Sequence, residues 1–271
     1  MTLTDTHCHL DFSVFDEDRD QVLERAREAG VVRILNPGID LPTSRAAIDL
    51  AETQSVVYAA VGVHPNEALT WQSGHLNQLR ALTESKRVVA IGEIGLDYYR
   101  ERTPHPLQKQ VFRMQLDLAA EAKLPVILHL RNAGRDERQA SLDMFEILRD
   151  WHENLVTNQS PLANNPGVFH SFFESEAYAK IVQLLNFKIG ITGPITFQKS
   201  QDLVNLVASI PIDNLVVETD APYQTPHPQR GRRNEPAYVR LIVEKIAEIQ
   251  HESYDKIANK TTANAKQLFQ W

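Results

Sequence analysis

The stretch Thr4-Asp5-Thr6-His7-Cys8-His9 puts two imidazoles at the end of the first strand-like run. Successive strand side chains point to opposite faces, so His7 and His9 share one face and Cys8 takes the other, toward the helix layer. Two imidazoles on one face make half a metal site. Alone, they are equally a pair of polar residues at a strand end. Later runs repeat the arrangement. Glu93 ends Val-Val-Ala-Ile-Gly-Glu, His129 ends Pro-Val-Ile-Leu-His, His170 ends Gly-Val-Phe-His, and Asp220 ends Asn-Leu-Val-Val-Glu-Thr-Asp. Each time an imidazole or carboxylate follows an apolar run. Six metal-type ligands at five strand ends are hard to assign to capped loops or satisfied rim residues.

The elements that must position them alternate. Strands are expected at Leu3–His9, Val31–Pro37, Val56–Val63, Val88–Gly92, Pro125–Leu130, Gly167–His170, Phe187–Thr192 and Asn214–Thr219. Amphipathic stretches lie between them, among them Asp16–Ala29, Pro106–Ala122 and Glu235–Gln250. Acids open the first and Gly30 closes it, as a helix requires. Eight βα units predict an α/β fold, a TIM (β/α)8 barrel occupying residues 1–271 as a single domain. A doubly wound open sheet is the alternative, but it normally carries a glycine-rich turn after its first strand, and His9-Leu10-Asp11-Phe12 is not one. In a barrel the C-terminal strand ends form the active-site face, where all six ligands fall. Asn154–Pro166 reads as a loop entering the sixth strand.

Composition narrows the class. The 271 residues are 42% hydrophobic and 23% charged, ordinary for a globular protein. No apolar run approaches the roughly 20 residues of a membrane span, and no leader is expected before the first strand. One cysteine fits a reducing, cytoplasmic setting. The net charge of −7 leaves no general basic footprint, so a polyanion must be gripped locally. No obligate protein partner is evident.

Histidine and carboxylate ligands together suit Zn²⁺, Mn²⁺ or Fe²⁺, and Mg²⁺ less comfortably. The number of ligands exceeds one tetrahedral site and suggests two ions about 3.5–4 Å apart. A carboxylate can bridge such a pair, and Glu93 lies between the two histidine groups. His64, in Gly62-Val63-His64-Pro65, follows the third strand and is expected at the cleft. His75, His152 and His251 are expected on the surface, and His105 and His227 in solvated Thr-Pro-His-Pro loops.

With these motifs in order, the chain resembles the TatD family of metal-dependent hydrolases in the amidohydrolase superfamily. The resemblance rests on Asp5-Thr6-His7-Cys8-His9, Gly62-Val63-His64-Pro65, Gly92-Glu93-Ile94-Gly95-Leu96-Asp97-Tyr98, Pro125–His129, His170-Ser171-Phe172, Glu218–Tyr223 and Arg232–Pro236, and covers nearly the whole chain. It implies a distorted TIM barrel. It also implies one ion on His7, His9 and Asp220, and a second on His129 and His170, with Glu93 between them. Members act as deoxyribonucleases, often 3′-to-5′ on single strands; some relatives cleave other esters, including aminoacyl-tRNA. Two departures bear on substrate. Phe173-Glu174 stands where the family has small residues, and Arg131–Gln139 is long and polar.

The chemistry expected is phosphodiester hydrolysis by an activated water, with Asp220 as general base beside Glu93. Arg131 and the cluster Arg230, Arg232 and Arg233 are candidate phosphate contacts for a single-stranded DNA substrate. Tyr98, Tyr99, Phe172, Phe173 and Tyr223 could stack bases. Two rivals remain at this point. One is hydrolysis of another ester or an amide at the same site. The other is a non-enzymatic protein with a closed structural metal site.

Overall fold

The computed structural model describes residues 2–134 and 136–271. Eight strands, β1 (Leu3–Asp5), β2 (Val31–Pro37), β3 (Val57–Val61), β4 (Val88–Asp97), β5 (Val126–Arg131), β6 (Gly167–Phe169), β7 (Lys188–Ile191) and β8 (Leu215–Val217), pair in chain order. Every pairing is parallel. Helices α1 (Arg19–Glu28), α2 (Leu41–Thr53), α3 (His75–Leu82), α4 (His105–Ala122), α5 (Gln139–Thr157), α6 (Glu176–Leu184), α7 (Gln201–Ser209) and α8 (Val239–Gln250) form the outer layer. A last helix, α9 (Tyr254–Phe269), follows. The order has no reversal point, so the doubly wound sheet is excluded.

Closure between β8 and β1 lies largely beyond the regular ladder. Asp220 N–H donates to the His7 carbonyl at 2.8 Å and His9 N–H to the Ala221 carbonyl at 2.8 Å. This is the distortion of the barrel. It also corrects the first expected strand, which stops at Asp5 rather than His9. The buried Asp5 carboxylate accepts N–H from His7 at 3.3 Å and from Thr219 at 2.8 Å, and O–H from Thr219 at 2.6 Å. Those bonds turn the backbone out of strand geometry.

Strand β4 runs five residues past its expected end. Ile91 pairs with Val126 but Ile94 with Leu128, so β4 carries one extra residue between them, a bulge at Gly92-Glu93. Glycine is needed here because of crowding: a Cβ on Gly92 would sit 2.6 Å from the Ile127 Cβ, and one on Gly95 2.1 Å from the His129 carbonyl oxygen. The two glycines let β4 lie against β5 along the site, and the bulge re-aims Glu93.

Leu35, Ala60, Ala90, Ile127, Val168 and Val216 form an inner apolar cluster with Leu268 and Phe269 of α9. Their neighbours Ile34, Ala59, Leu128 and Val217 pack instead into the larger core with the helices. Trp271 rests against Tyr58 at a ring distance of 5.0 Å. The interior is therefore filled, and only its C-terminal rim is polar.

Three further expectations are corrected. His152 is buried on the inner side of α5, with Nε2 3.1 Å from the Ala163 carbonyl. His105 starts α4 rather than lying in a loop, and its ring stacks on Tyr98 at 3.5 Å. Asn154–Thr157 continue α5, and Pro161–Asn164 make a 3-10 turn, so 154–166 is not one loop. Arg135, in the stretch after β5, lies outside the described residues. No described helix is long and apolar enough to cross a membrane.

Candidate metal centre

Six side chains from five strand ends converge at the C-terminal rim. His7 Nε2 and His9 Nε2 are 3.2 Å apart. Glu93 Oε2 lies 3.4 Å from the first and 3.8 Å from the second, and Asp220 Oδ1 lies 3.8 Å from each. Glu93 Oε1 faces the other way. It is 2.8 Å from His129 Nδ1 and 3.4 Å from His170 Nε2. Two donors about 2.1 Å from one cation stand about 3.0–3.4 Å apart at octahedral or tetrahedral angles. The observed spacings fall at or just beyond that range, except the 2.8 Å hydrogen bond between His129 and Glu93, and three triads among the described residues lie close enough to hold an ion: His7, His9 and Glu93; His7, His170 and Asp220; His64, Glu93 and His129.

The outer nitrogens fix which inner ones offer lone pairs. His9 Nδ1 lies 3.3 Å from the Pro37 carbonyl and donates to it, leaving Nε2 as an acceptor toward the centre. His170 Nδ1 lies 3.3 Å from Glu218 Oε1, and His129 Nε2 lies 3.3 Å from Asp97 Oδ2. A carboxylate behind a ring orients it and raises its basicity. Neither His7 Nδ1 nor His170 Nδ1 has a hydrogen-bond partner among the described residues, so Glu218 backs His170 by its charge. Imidazole lone pairs aimed at each other across 3.2 Å, with carboxylates beside them, are a donor set that fits a divalent cation.

His64 differs. Its Nδ1 accepts the Asn66 backbone N–H at 3.1 Å, so its proton is on Nε2, 3.7 Å from Glu93 Oε1. It presents a donor to the cleft, not a lone pair. Burial and the facing His129 push it down to about 3, which keeps it neutral.

The electrostatics divide the cluster. Burial and His7 push His9 down to about 3. For His170 burial acts downward, but Glu93, Glu218 and Asp220 outweigh it and lift it to about 10. His129 is also raised, its hydrogen bonds to Asp97 and Glu93 overcoming burial. Burial opposes ionisation of Glu93, yet His170, His7 and His64 hold its carboxyl well below the usual range. Asp220 goes the other way, raised by burial. Its backbone φ of +56° is left-handed, rare for an aspartate, and Gln224 Nε2 donates to its Oδ2 at 2.5 Å.

The outlying candidates separate. Arg131, exposed, lies over the Tyr99 ring at 3.9 Å. Arg230 covers Phe197 at 4.2 Å. Arg232 is exposed and makes no ion pair among the described residues. Arg233 departs from the expected free cation. Its guanidinium grips Asp18 with two bonds, 2.8 and 2.6 Å, and donates to the Val14 carbonyl at 2.6 Å. Of the aromatics, Tyr98 and Phe172 are buried, Phe173 and Tyr223 exposed. Glu174 accepts from Asn132 at 2.8 Å, tying the unusual Phe173-Glu174 pair to the turn after β5.

Sequence reasoning missed Asp97 and Glu218, the buried carboxylates behind His129 and His170. Asp97 accepts from Tyr99 N–H, Arg100 N–H and Asn66 Nδ2 at 2.9–3.0 Å. Glu218 accepts from Ser171 N–H at 2.6 Å and Thr6 O–H at 3.2 Å. The available signal was an acid inside, rather than after, an otherwise apolar run.

A parallel barrel with imidazoles and carboxylates gathered at its C-terminal rim has the architecture of a metal-dependent hydrolase. A model of the family described as TatD related DNase matches residues 4–270, and the chain belongs to that family. An uncharacterized metal-dependent hydrolase, YabD, of Bacillus subtilis is 39% identical over 267 residues, covering 98% of each chain. A protein named 3′-5′ ssDNA/RNA exonuclease TatD, from Erwinia amylovora, is 37% identical over 271 residues, again covering 98% of each. The crystal structure of YJJV, a TatD homologue from Escherichia coli K12, superposes with a TM-score of 0.88 at 31% identity, covering 99% of this chain and 98% of the other. The chain is thus a metal-dependent hydrolase acting on ester bonds, and the reading as a non-enzymatic metal protein falls.

Proposed function

We propose that the chain removes nucleotides from the 3′ ends of single-stranded nucleic acid, by hydrolysis at a two-metal centre. The observation that carries this is the orientation of Glu93: one oxygen faces His7 and His9, the other His129 and His170. His7, His9 and Asp220 would hold one ion and His129 and His170 the other, with Glu93 shared. Zn²⁺, Mn²⁺ and Fe²⁺ suit these donors better than Mg²⁺. Divalent ions held there lower the pKa of a water toward neutrality and polarise a phosphoryl oxygen.

The chain's own groups supply the remaining roles. Asp220, raised by burial and held by Gln224, accepts the proton of the attacking water. The neutral His64 offers its Nε2–H to a phosphoryl oxygen of the substrate. Asp97 fixes the ring of His129 by a hydrogen bond, and Glu218 stands behind His170 as a countercharge. With a net charge of −7, grip on the strand falls to local cations, for which Arg131, at the end of β5, and Arg230 and Arg232, in the segment after β8, are the candidates. The phosphodiester is preferred over other esters because relatives along the whole chain are named exonucleases. The single cysteine, buried and free, suits a cytoplasmic protein.

The test is digestion of 5′-labelled single-stranded DNA and RNA by protein stripped of metal and reloaded with each ion in turn. Mononucleotides should leave the 3′ end only after reloading. Full activity after exhaustive chelation would overturn the proposal.

A further inference from the structure

Beside the donor cluster lies a groove of about 780 Å³, walled by the segment after β1, the start of α2 and the turn after β8. Phe12, Val14, Pro42, Ala46, Pro222 and Tyr223 give it apolar and aromatic walls. It adjoins the centre through Phe12, whose ring lies nearly parallel to the His9 ring, 4.6 Å away and 14° inclined. Two large apolar groups are left uncovered in it, Tyr223 at 56% and Val14 at 50% exposure. Tyr223 meets Phe12 edge-on at 6.5 Å, so a face of its ring stays free.

Charge decides what such a groove takes. Among its lining residues Arg233 is the only cation, and Asp18 and the Val14 carbonyl already occupy its guanidinium. The one carboxylate, Asp11, is bonded to Asn36 Nδ2 at 2.8 Å and would repel a phosphate. The groove therefore suits a flat, uncharged ring tethered to something held at the metal centre. A phosphodiester of nucleic acid carries such a ring on the sugar next to the reacting phosphorus.

We infer that the groove receives the nucleobase beside the scissile phosphate, stacked on the free face of Tyr223. The inference rests on the phosphodiester reading above and deepens it: the enzyme recognises a base, of any sequence, as well as a backbone. It also sorts the aromatics of the rim. Tyr223 stacks a base, while Tyr99, itself 52% exposed, already carries the Arg131 guanidinium 3.9 Å over one face of its ring.

Two measurements test it. The first compares single strands that end in normal nucleotides with strands carrying an abasic residue at the last or the penultimate position. The intact strand should be cleaved about tenfold faster than one of the abasic strands, as loss of one stacked base implies. Tyr223→Ala should bring that ratio toward one, and Tyr223→Phe should keep it. The second needs no turnover. Thymidine 5′-monophosphate should quench the fluorescence of the Tyr223→Trp variant, and ribose 5-phosphate should not. A ratio that Tyr223→Ala leaves unchanged, or equal quenching by both compounds or by neither, overturns the base site while cleavage of the strands keeps the nuclease reading. Quenching by the nucleotide alone, with no strand cleaved, overturns the nuclease reading and keeps the base site.

Discussion

The two halves of the centre are built differently. His7, His9 and Asp220 sit on irregular chain beyond β1 and β8, held by backbone bonds between those segments. His129 sits within β5, His170 just after β6 and Glu93 at the bulge of β4, and each of the two rings has a carboxylate behind it. The electrostatic result is opposite. In the first half His9 is pushed down to about 3, and a backbone carbonyl backs it. In the second half His170 is lifted to about 10 and His129 is raised as well. In the first half His9 keeps a bare lone pair; in the second half protons on the rings offset the carboxylates around them. What stands behind each ring thus leaves two groups of donors a few ångströms apart in opposite electrostatic states.

Removing what the halves share has the largest effect. Glu93→Ala should lower activity on the order of a thousandfold, the loss of several kcal/mol of metal assistance. Metal analysis should show both ions weakened. Retention of one tightly bound ion would mean that Glu93 serves one half only. Asp97→Asn acts on one half alone. It keeps the size of the side chain and removes the charge behind His129, and should cost about 10- to 100-fold in affinity for one ion. Titration of the stripped variant should give one weakened and one unchanged site, and equal loss at both would break the distinction between the halves.

How far the sequence reveals this depends on whether its causes are local. That these six side chains would meet was legible, because an imidazole or carboxylate after an apolar run marks a strand end whatever the fold around it. That Glu93 lies between two groups of histidines followed from strand order. The lengths of β1 and β4 did not follow. One is cut short by the Asp5–Thr219 bonds, which join residues 214 apart, and the other is prolonged by a bulge that two glycines permit. Arg233 looked like a free cation because its partner, Asp18, is 215 residues away. His152 read as polar surface because the apolar side of α5 that covers it, Leu148, Trp151 and Leu155, is visible only once the helix is docked. Asp97 and Glu218 were hidden because burial alone distinguishes an orienting carboxylate from a solvated one.

The smallest effect is also the most direct comparison of the halves. A histidine that binds a cation must be unprotonated, so loading expels any proton it holds. In the metal-free protein His170 stays protonated until pH rises through about 10. Its folded value is raised above the ordinary 6.5, so its contribution to stability is full below pH 6.5 and is lost as pH rises through 10. Loading of the second half should therefore release at least the His170 proton at pH 7.5, and its affinity should fall at least about tenfold for each pH unit lowered. His9, pushed down to about 3, has no proton to give at that pH. The first half should release fewer, with none from His9, until acid pH reaches the raised carboxyl of Asp220. Calorimetric titration of Zn²⁺ or Mn²⁺ in buffers of different ionisation heat counts the protons for each ion. Two ions releasing the same number would mean that the carboxylates behind the second half do not set its affinity, and the contrast would reduce to one of backbone geometry.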